Sequence, residues 1–525
     1  MSSCLVLASR RALGWIFGVL ITLGVAGCGG GGAGGAGPEP LDQPSSQTGP
    51  AAPFPEYQIS VSGFSDAAAL VSPDGADVAL TTYAGGAKAN LRFTCGGCNL
   101  LITIGSARGL ANQDIPFSFG SISRDSVLPV KLLDRASGAR KTLHLHSLPA
   151  DYPAHSAKST GAQEPGDLYV ATFVAFGGTS GAATSASFAQ ILRPDGSLRY
   201  YRRDQLFLDF KKTTLPDGSV RLTLYDGWKG QVRVMNESFD ILALLPLPKL
   251  PGSDSQTYDV HDHILLSDAS YALASLENKT VMDMPGRVGI PTKVAAFGFQ
   301  FIRDGATAFS WQSSDHPELY ACATAGNAYG AQTPQPYADY MHFNSMQIDT
   351  DGNYLFSMRH LDALLKVNSV DGSIMWILGG PCDQFGLTAS QKFSHQHFAR
   401  RLWDGRIGLF DNGNSNGKAP LRTRILALNL DEGSRRLATG DPARPGFAEF
   451  FPASSLLGLP QGLSSAMGSA QFFPSGKILV GWGLPASGGP SAGVTEFDAA
   501  TGVPTFELSF DQSLPLVSYR AVKYR

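Results

Sequence analysis

The feature that most constrains the fold is a repeated pattern of short strands and tight turns. From residue 167 onward an apolar segment, an Asp-Gly or Ser-Gly turn and further apolar strands recur with changed residues. Clear examples are FAQILRPDGSLRYYRR, LDFKKTTLPDGSVRLTLYDG, HQHFARRLWDGRIGLFDNG and SAQFFPSGKILVGWG. Long helical periodicity is nearly absent, and 60 glycines and 33 prolines separate the strands. The sequence therefore predicts an all-β protein.

The repeats divide into six units of four short strands. A sheet this small cannot bury its own faces, so the units must stack on one another around an axis. We therefore predict a six-bladed β-propeller over residues 167–525, with seven blades as the alternative. The final SYRAVKYR is expected to close the ring by pairing with the first blade at DLYVATFVAF.

Two shorter segments precede the repeats. Residues 54–150 carry alternating runs such as YQISVSG, ADVALTTY and LLITIGS between turn clusters, which predicts a small N-terminal β-sandwich domain. Residues 151–166 are polar and contain Pro and Gly, and they are predicted to be a linker.

The N-terminus has the pattern of an export signal. Arg10 and Arg11 precede the apolar ALGWIFGVLITLGVAG, which is short for a membrane span, and small residues lead into Cys28. Residues 1–27 are predicted to be a lipoprotein signal peptide, Cys28 the lipidated residue and 28–53 a flexible Gly/Pro-rich tether. The protein is then exported and lipid-anchored to the membrane on the periplasmic or extracellular side. The alternative is a cleaved signal with an incidental cysteine.

The charges are nearly balanced, with 41 Lys and Arg against 44 Asp and Glu. No basic stripe gathers the positive charges on one segment. The composition therefore argues against nucleic acid as a partner.

Four cysteines remain when Cys4 and Cys28 are set aside. They are Cys95, Cys98, Cys322 and Cys382. In an oxidising compartment an even number predicts disulfides, and of the three pairings the simplest joins Cys95 to Cys98 and Cys322 to Cys382. The alternative is a redox or zinc site at CGGC, but no second C-x-x-C and no βαβ pattern accompany it.

Three histidines occupy one level of the repeat. His261 and His397 each lie 12 residues before the same leucine position of the next strand, and His342 lies 13 residues before it. The first strand of a propeller blade lines the central channel, so three consecutive blades are expected to direct these histidines toward one site. His263 and His395 each lie two residues from a register histidine, and His263 competes with His261 for the first position.

A nearby arginine bears on the kind of site. Three histidines can bind zinc or copper, or they can bind an anion together with a guanidinium. Arg359 ends the second strand of the middle blade, where a fixed positive charge disfavours a divalent cation but matches sulfate or phosphate oxygens. Asn344 lies two residues after His342 and is expected to face the same side. The residues favour an anion site without a metal or other cofactor.

Several motifs together resemble the aryl-sulfate sulfotransferase family, in its broad bacterial and fungal branch. They are HDHILL, MHFNS, SMRH, WILGG, QHFARRL and FDNG, in this order on the repeats, preceded by LHLHSLPADYP. The resemblance covers roughly residues 140–525. It implies that a channel histidine attacks an aryl sulfate and forms a sulfohistidine, which a phenolic acceptor resolves without a nucleotide donor.

The resemblance also implies the roles of individual residues. The histidine of QH, His397, is the expected nucleophile. His342 and Asn344 correspond to the H-x-N pair, Arg359 to the R-H pair and His261 to the HD motif. Arg359, Asn344 and His261 are the expected substrate-binding residues.

Two other functions are compatible with the same histidines. One is a propeller that binds an anionic ligand or partner without catalysis, and the other is a His-ligated metalloenzyme. Within the favoured enzyme, we expect His395 to lie at the channel mouth and to matter less than His397.

Overall fold

The computed structural model describes most of the chain after residue 53. The described residues are 54–62, 69–71, 77–80, 89–118, 127–147, 152–174, 187–204, 207–226, 230–237, 239–250, 252–253, 255–285, 287–324, 338–414, 421–459, 462–485, 493–510 and 516–525. The predicted signal peptide, Cys28 and the tether lie outside these residues. Across the described ranges, no helix has the length and apolar character needed to cross a membrane.

Strands β1 to β9 make up the region before residue 150. Their bounds are Gln58–Ser62, Ala69–Val71, Asp77–Leu80, Ala89–Thr94, Leu100–Ile104, Ala107–Leu110, Asp114–Phe117, Val127–Asp134 and Arg140–Ser147. One sheet has the order β1-β4-β7 and the other β2-β3-β9-β8-β5-β6, in which β3 and β9 are parallel. Both sheets contribute to one apolar core, for example Phe93 from the first and Ile102 and Leu143 from the second.

The rest of the described chain is built almost entirely from short strands. Strands β10 to β24 are His155–Ser159, Asp167–Val174, Ser187–Leu192, Leu198–Asp204, Phe207–Thr214, Val220–Asp226, Gln231–Met235, Ile241–Leu244, Ser255–Ser267, Ser270–Val281, Thr292–Arg303, Ala306–Gln312, Phe343–Ile348, Tyr354–Met358 and Ala363–Val367. Strands β25 to β38 are Ile374–Gly379, His397–Arg401, Ile407–Asp411, Arg424–Leu428, Leu430–Asp431, Arg436–Leu437, Phe447–Phe450, Ser464–Ala466, Ser469–Phe472, Lys477–Gly481, Leu484–Pro485, Gly493–Asp498, Pro504–Phe510 and Leu516–Tyr524. Short 3-10 helices are Ser313–Asp315, Pro317–Cys322 and Arg359–Leu361.

These strands form antiparallel sheets, most of them in chain order, as in a β-propeller. Among the described residues the larger sheets are β13-β12-β11-β38, β14-β15-β16-β17, β18-β19-β20-β21, β22-β23-β24-β25, β26-β27-β28-β31 and β10-β37-β36-β34-β33. The innermost strand of each sheet packs on the innermost strand of the next, in the order β14, β18, β22, β26, β33, β38 and back to β14. The all-β prediction is confirmed.

The C-terminal strand closes this order. As predicted, SYRAVKYR pairs with DLYVATFV, here as β38 against β11, with Leu168 opposite Lys523 and Val170 opposite Ala521. The C-terminal strand, and not β11, is the innermost strand of its sheet. It is buried along almost its whole length.

The predicted linker contains a strand. His155–Ser159 is β10, and it pairs with β37 at the outer edge of the last sheet. Pairing of β10 supplies hydrogen bonds that an exposed edge of β37 would lack. The polar composition that suggested a linker suits an outer edge strand just as well, because one face of such a strand contacts solvent.

The Asp-Gly turns that mark the repeats have a simple stereochemical basis. In the first two turns the glycines Gly196 and Gly218 have φ values of 85° and 81°, a region that favours glycine. The preceding aspartate caps each turn, and Asp195 Oδ1 accepts a hydrogen bond of 2.9 Å from the Ser197 amide. The Asp-Gly pairs of the repeat therefore mark the turns at which the chain reverses between two strands.

The described cysteines pair as the simplest prediction had it. Cys95 is bonded to Cys98, and Cys322 to Cys382. The first bond spans a separation of 3 residues and the second a separation of 60. Because loop-closure entropy grows with the length of the closed loop, the second bond restricts the unfolded chain far more.

We predict unequal losses of stability when the two disulfides are removed. Replacing Cys322 and Cys382 with serine should lower the free energy of unfolding by about 4 kcal/mol, against about 2 kcal/mol for the Cys95 and Cys98 pair, from loop length alone. Guanidinium unfolding measures both, with tryptophan fluorescence for the region after residue 227 and circular dichroism for the N-terminal sheets. Equal losses would show that loop length is not the controlling factor.

Candidate functional site

Three histidines come together, in or next to three neighbouring inner strands. The ring centroids of His261 and His342 are 5.2 Å apart. The Tyr519 ring of β38 contacts two of the three, with its centroid 5.5 Å from that of His261 and 6.4 Å from that of His397. The structure thus brings the three register histidines into one cluster.

The backbone is irregular at this level in each of these strands. The pairing register shifts between Tyr258 and His263 in β18, between Phe343 and Ser345 in β22, and after His397 in β26. His342 itself has a φ of 47°. Such irregularities change the direction of a side chain and are frequent beside active sites.

Each histidine is held through Nδ1 by a different oxygen. Nδ1 of His261 lies 2.7 Å from Asp259 Oδ1, and Nδ1 of His342 lies 2.6 Å from Asp339 Oδ2. Nδ1 of His397 lies 2.6 Å from the amide oxygen of Asn412. Since these partners are acceptors, Nδ1 carries the proton and Nε2 is left as the ring nitrogen available for chemistry in all three.

His397 is the most enclosed of the three, with 3% of its surface exposed. Its Nδ1 is also 2.9 Å from the carbonyl oxygen of His395, and its Nε2 accepts a hydrogen bond of 3.2 Å from the Met467 amide. Burial, followed by the positive charge of Arg359, holds the pKa of His397 well below its usual range. His397 is therefore neutral, with an Nε2 lone pair.

Arg359 supplies the positive charge of the cluster. It begins the 3-10 helix after β23, and its Nη1 donates a hydrogen bond of 2.8 Å to Nε2 of His360. Burial lowers the pKa of His360 to about 3 and, with His261 and Arg359, holds the pKa of His342 well below its usual range. A guanidinium surrounded by neutral imidazoles suits a bound anion.

Three residues of the cluster have the donor atoms of a metal site. Asp339, His342 and His360 each offer a ligand atom, and these atoms lie within 4.8 Å of one another. However, His360 donates from Nδ1 to the Asp339 carbonyl oxygen at 2.7 Å and accepts from Arg359 at Nε2. With both ring nitrogens engaged and a guanidinium adjacent, the donor set favours an anion over a cation.

Asn344 lies in the cluster but its amide faces the backbone. Its Nδ2 donates to the Gln396 carbonyl oxygen at 2.6 Å, and its own carbonyl oxygen accepts from Tyr519 OH at 2.9 Å and Arg520 Nη2 at 2.5 Å. Through the first of these bonds Asn344 holds the backbone of Gln396, the residue just before His397. The amide donor expected to contact an anion is already used by Gln396.

His263 points away from the histidine cluster. It is buried, with Nε2 at 2.8 Å from Thr223 Oγ1 and Nδ1 at 3.2 Å from Asp209 Oδ2. His261, and not His263, contacts the ring of His342. Of the two candidates for the first position, the geometry favours His261.

His395 contributes to the cluster mainly through its backbone. With a φ of 53°, it directs its carbonyl oxygen to His397, while its own amide donates to Asp362 Oδ1 at 2.7 Å. Its ring lies 6.2 Å from that of His360, and burial lowers its pKa to about 4.

A buried ionic group underlies the cluster. Asp262 contacts Lys211, Arg400 at 2.8 Å and Arg520 at 3.3 Å, and Asp209 contacts Lys211 at 2.8 Å and Arg520 at 2.5 Å. We call these five residues the axial ion group. Although burial opposes ionisation, Arg520, Lys211 and Arg400 hold the pKa of Asp262 well below its usual range.

Sequence reasoning missed several residues of this site. Asp259, Asp339 and Asn412 hold the histidines, and Tyr519 contacts the rings of two of them. Asn412 belongs to the FDNG motif, which contributed to the family resemblance without a role being assigned to it. The other three lie in ordinary local sequence, which contains no signal for their position.

Comparison with known proteins identifies the family. Residues 230–500 match the arylsulfotransferase (ASST) family, and all three clustered histidines lie within this match. No curated protein matches the chain.

Solved structures resemble the chain only distantly. A protein of unknown function from Bacteroides caccae is 11% identical, with 69% of this chain and 100% of that chain covered and a TM-score of 0.38. A virginiamycin B lyase from Staphylococcus aureus is 10% identical, with coverages of 68% and 99% and a TM-score of 0.29. A quinoprotein alcohol dehydrogenase-like protein from Bacteroides thetaiotaomicron is 8% identical, with coverages of 85% and 96% and a TM-score of 0.32. The family match covers more than half of the sequence, and the chain therefore belongs to the arylsulfotransferase family.

Proposed function

We propose that the protein transfers a sulfuryl group from an aryl sulfate to a phenolic acceptor, with His397 as the nucleophile and without a nucleotide donor. The observation that carries this proposal is the geometry of His397. Its Nδ1 is held by Asn412 at 2.6 Å, so a neutral imidazole presents Nε2 beside Arg359 and two further histidines. Membership of the arylsulfotransferase family supports the substrate class.

The proposal extends to the scaffold and its location. Each of the six larger sheets is taken as one blade of a six-bladed propeller over residues 167–525, preceded by a β-sandwich over 54–150. The two N-terminal sheets that share one core support the sandwich. Residues 1–27 act as a lipoprotein signal, and Cys28 anchors the exported protein to a membrane.

The first half-reaction forms a covalent intermediate. Nε2 of His397 attacks the sulfur, the bond from sulfur to the aryl oxygen breaks, and an aryl oxide leaves. Attack requires the Nε2 lone pair to leave its contact with the Met467 amide, which frees that N–H for a sulfuryl oxygen. Arg359 offsets the negative charge of the sulfuryl oxygens, which is the main contribution to transfers of this type.

Proton transfer involves the other two histidines. His261 and His342 are each held by a carboxylate, Asp259 and Asp339, which stabilises an imidazolium once an anion binds nearby. Either one protonates the leaving aryl oxide. In the second half-reaction the phenol gives its proton to the same histidine and attacks sulfur, the bond from sulfur to Nε2 breaks, and His397 is restored. Kinetics are then ping-pong.

We predict that His397→Asn lowers kcat/KM by at least about 10³-fold, because the nucleophile is lost. Incubation with 4-nitrophenyl sulfate should add one SO3 to the wild-type peptide that carries residue 397, and none to the variant. Mass spectrometry at alkaline pH, where N-sulfonates survive, measures the adduct. A full adduct in the variant would show that another residue is the nucleophile.

The matched control is His395→Asn. Asn tolerates the positive φ of this position, and the backbone carbonyl that contacts His397 is retained. We expect less than about a 10-fold loss of kcat/KM. Comparable losses in both variants would contradict the assignment of the nucleophile.

A second pair of substitutions separates activity from stability. His261→Asn should lower kcat/KM by about 10²-fold or more with little change in unfolding, because His261 acts in proton transfer. His263→Asn should instead lower the free energy of unfolding by about 1–3 kcal/mol, because it breaks buried hydrogen bonds to Asp209 and Thr223. Initial rates and guanidinium unfolding measure the two effects, and the reverse pattern would place His263 in the site.

One assay distinguishes this function from its rivals. The pure protein is incubated with 4-nitrophenyl sulfate in the presence and absence of a phenol, and nitrophenolate release is followed. Binding of the sulfate ester without phenol-dependent release would indicate a non-catalytic anion binder. Stoichiometric zinc or copper, together with activity lost on chelation, would indicate a metalloenzyme.

A further inference from the structure

The three clustered histidines differ in the chemistry of the group that holds Nδ1. His261 and His342 contact carboxylates, whereas His397 contacts a carboxamide. A carboxylate stabilises the imidazolium, which has no lone pair on Nε2. A carboxamide oxygen accepts the same hydrogen bond without adding a negative charge. His397, the proposed nucleophile, is therefore the histidine whose Nδ1 partner is uncharged.

The orientation of this carboxamide is determined by its surroundings. Asn412 is fully buried just after β27, and its Nδ2 donates to the carbonyl oxygens of Ser464 at 2.8 Å and Met467 at 3.1 Å. A flipped amide would place its oxygen against these two carbonyl oxygens, which is unfavourable. Oδ1 must therefore face Nδ1 of His397, which in turn must carry its proton there.

From this geometry we propose that Asn412 is the positioning residue that keeps His397 an uncharged nucleophile with its lone pair on Nε2. The proposal rests on the proposed function in so far as it concerns sulfuryl transfer. It goes further in separating His397, whose Nδ1 partner is uncharged, from two histidines whose Nδ1 partners are carboxylates. This difference depends on a single atom, Nδ2 of Asn412, which stands where an aspartate would have a second carboxylate oxygen.

Asn412→Asp tests the proposal with a side chain of the same shape. A carboxylate about 4 Å from the imidazolium charge, at an effective dielectric constant near 20, should raise the pKa of His397 by about 3 units. The rate of the nitrophenolate burst with 4-nitrophenyl sulfate, measured by stopped flow, should be nearly flat in the wild type from pH 6 to 9. In the variant the same rate, followed down to pH 4, should begin to fall about 3 pH units above the point at which the wild-type rate falls, by up to about 10-fold per pH unit.

Asn414→Asp is the matched control. Asn414 lies two residues further along, and its Nδ2 donates to the Ser465 carbonyl oxygen at 2.7 Å without contacting His397. Its burst should keep the pH profile of the wild type. A loss that is equal at all pH values in Asn412→Asp would show a merely structural role and overturn the proposal.

A measurement on the wild-type protein covers the case in which Asn412→Asp does not fold. In protein labelled with 15N-histidine, the ring nitrogen shifts of His397, assigned with His397→Asn, should show a protonated Nδ1 and an unprotonated Nε2 at pH 7. An imidazolium, or the tautomer with the proton on Nε2, would overturn the assignment of Asn412. The expected tautomer in a protein that transfers no sulfuryl group would overturn the proposed function while supporting the role of Asn412.

Discussion

The positions of the inner strands relative to one another depend on the buried carboxylate of Asp262, which binds groups from several of them. It accepts a hydrogen bond from Arg400 at 2.8 Å and from the Met346 amide at 2.9 Å, and it also contacts Lys211 and Arg520. These partners come from β26, β22, β14 and β38. A charge buried this completely requires its partners, because removal of one partner typically costs about 3–5 kcal/mol. The strands that carry the three histidines are thereby held at one level.

The axial ion group also affects the charge beneath the cluster. Its two carboxylates face three cations, since Lys211, Arg400 and Arg520 outnumber Asp209 and Asp262. His263 does not add to this excess, because burial lowers its pKa. Of the three cations, Arg520 contacts the residues of the histidine cluster, because it donates a hydrogen bond to the carbonyl oxygen of Asn344. A net positive charge below the histidine cluster favours the binding of an anion.

Much of this arrangement was predictable because it repeats. Asp-Gly turns locate the strand reversals, and a common register places His261, His342 and His397 in one cluster. The direction of each side chain was not predictable, because strand irregularities decide it. The residues on either side of Asp262 share a strand and a spacing that suggests one face, yet His261 reaches the cluster and His263 the axial ion group. The partners of two histidines were also not predictable, because no feature shared between the repeats marks Asp259 or Asp339.

The closing strand links the histidine cluster to the end of the chain. Tyr519 and Arg520 lie in β38, yet one contacts the rings of His261 and His397 and the other pairs with both buried aspartates. A chain made from its N-terminus onward therefore contains every histidine long before it contains the groups that pack against and below them. A chain that lacks β38 therefore lacks the ring that contacts His261 and His397 and the guanidinium that pairs with Asp209 and Asp262.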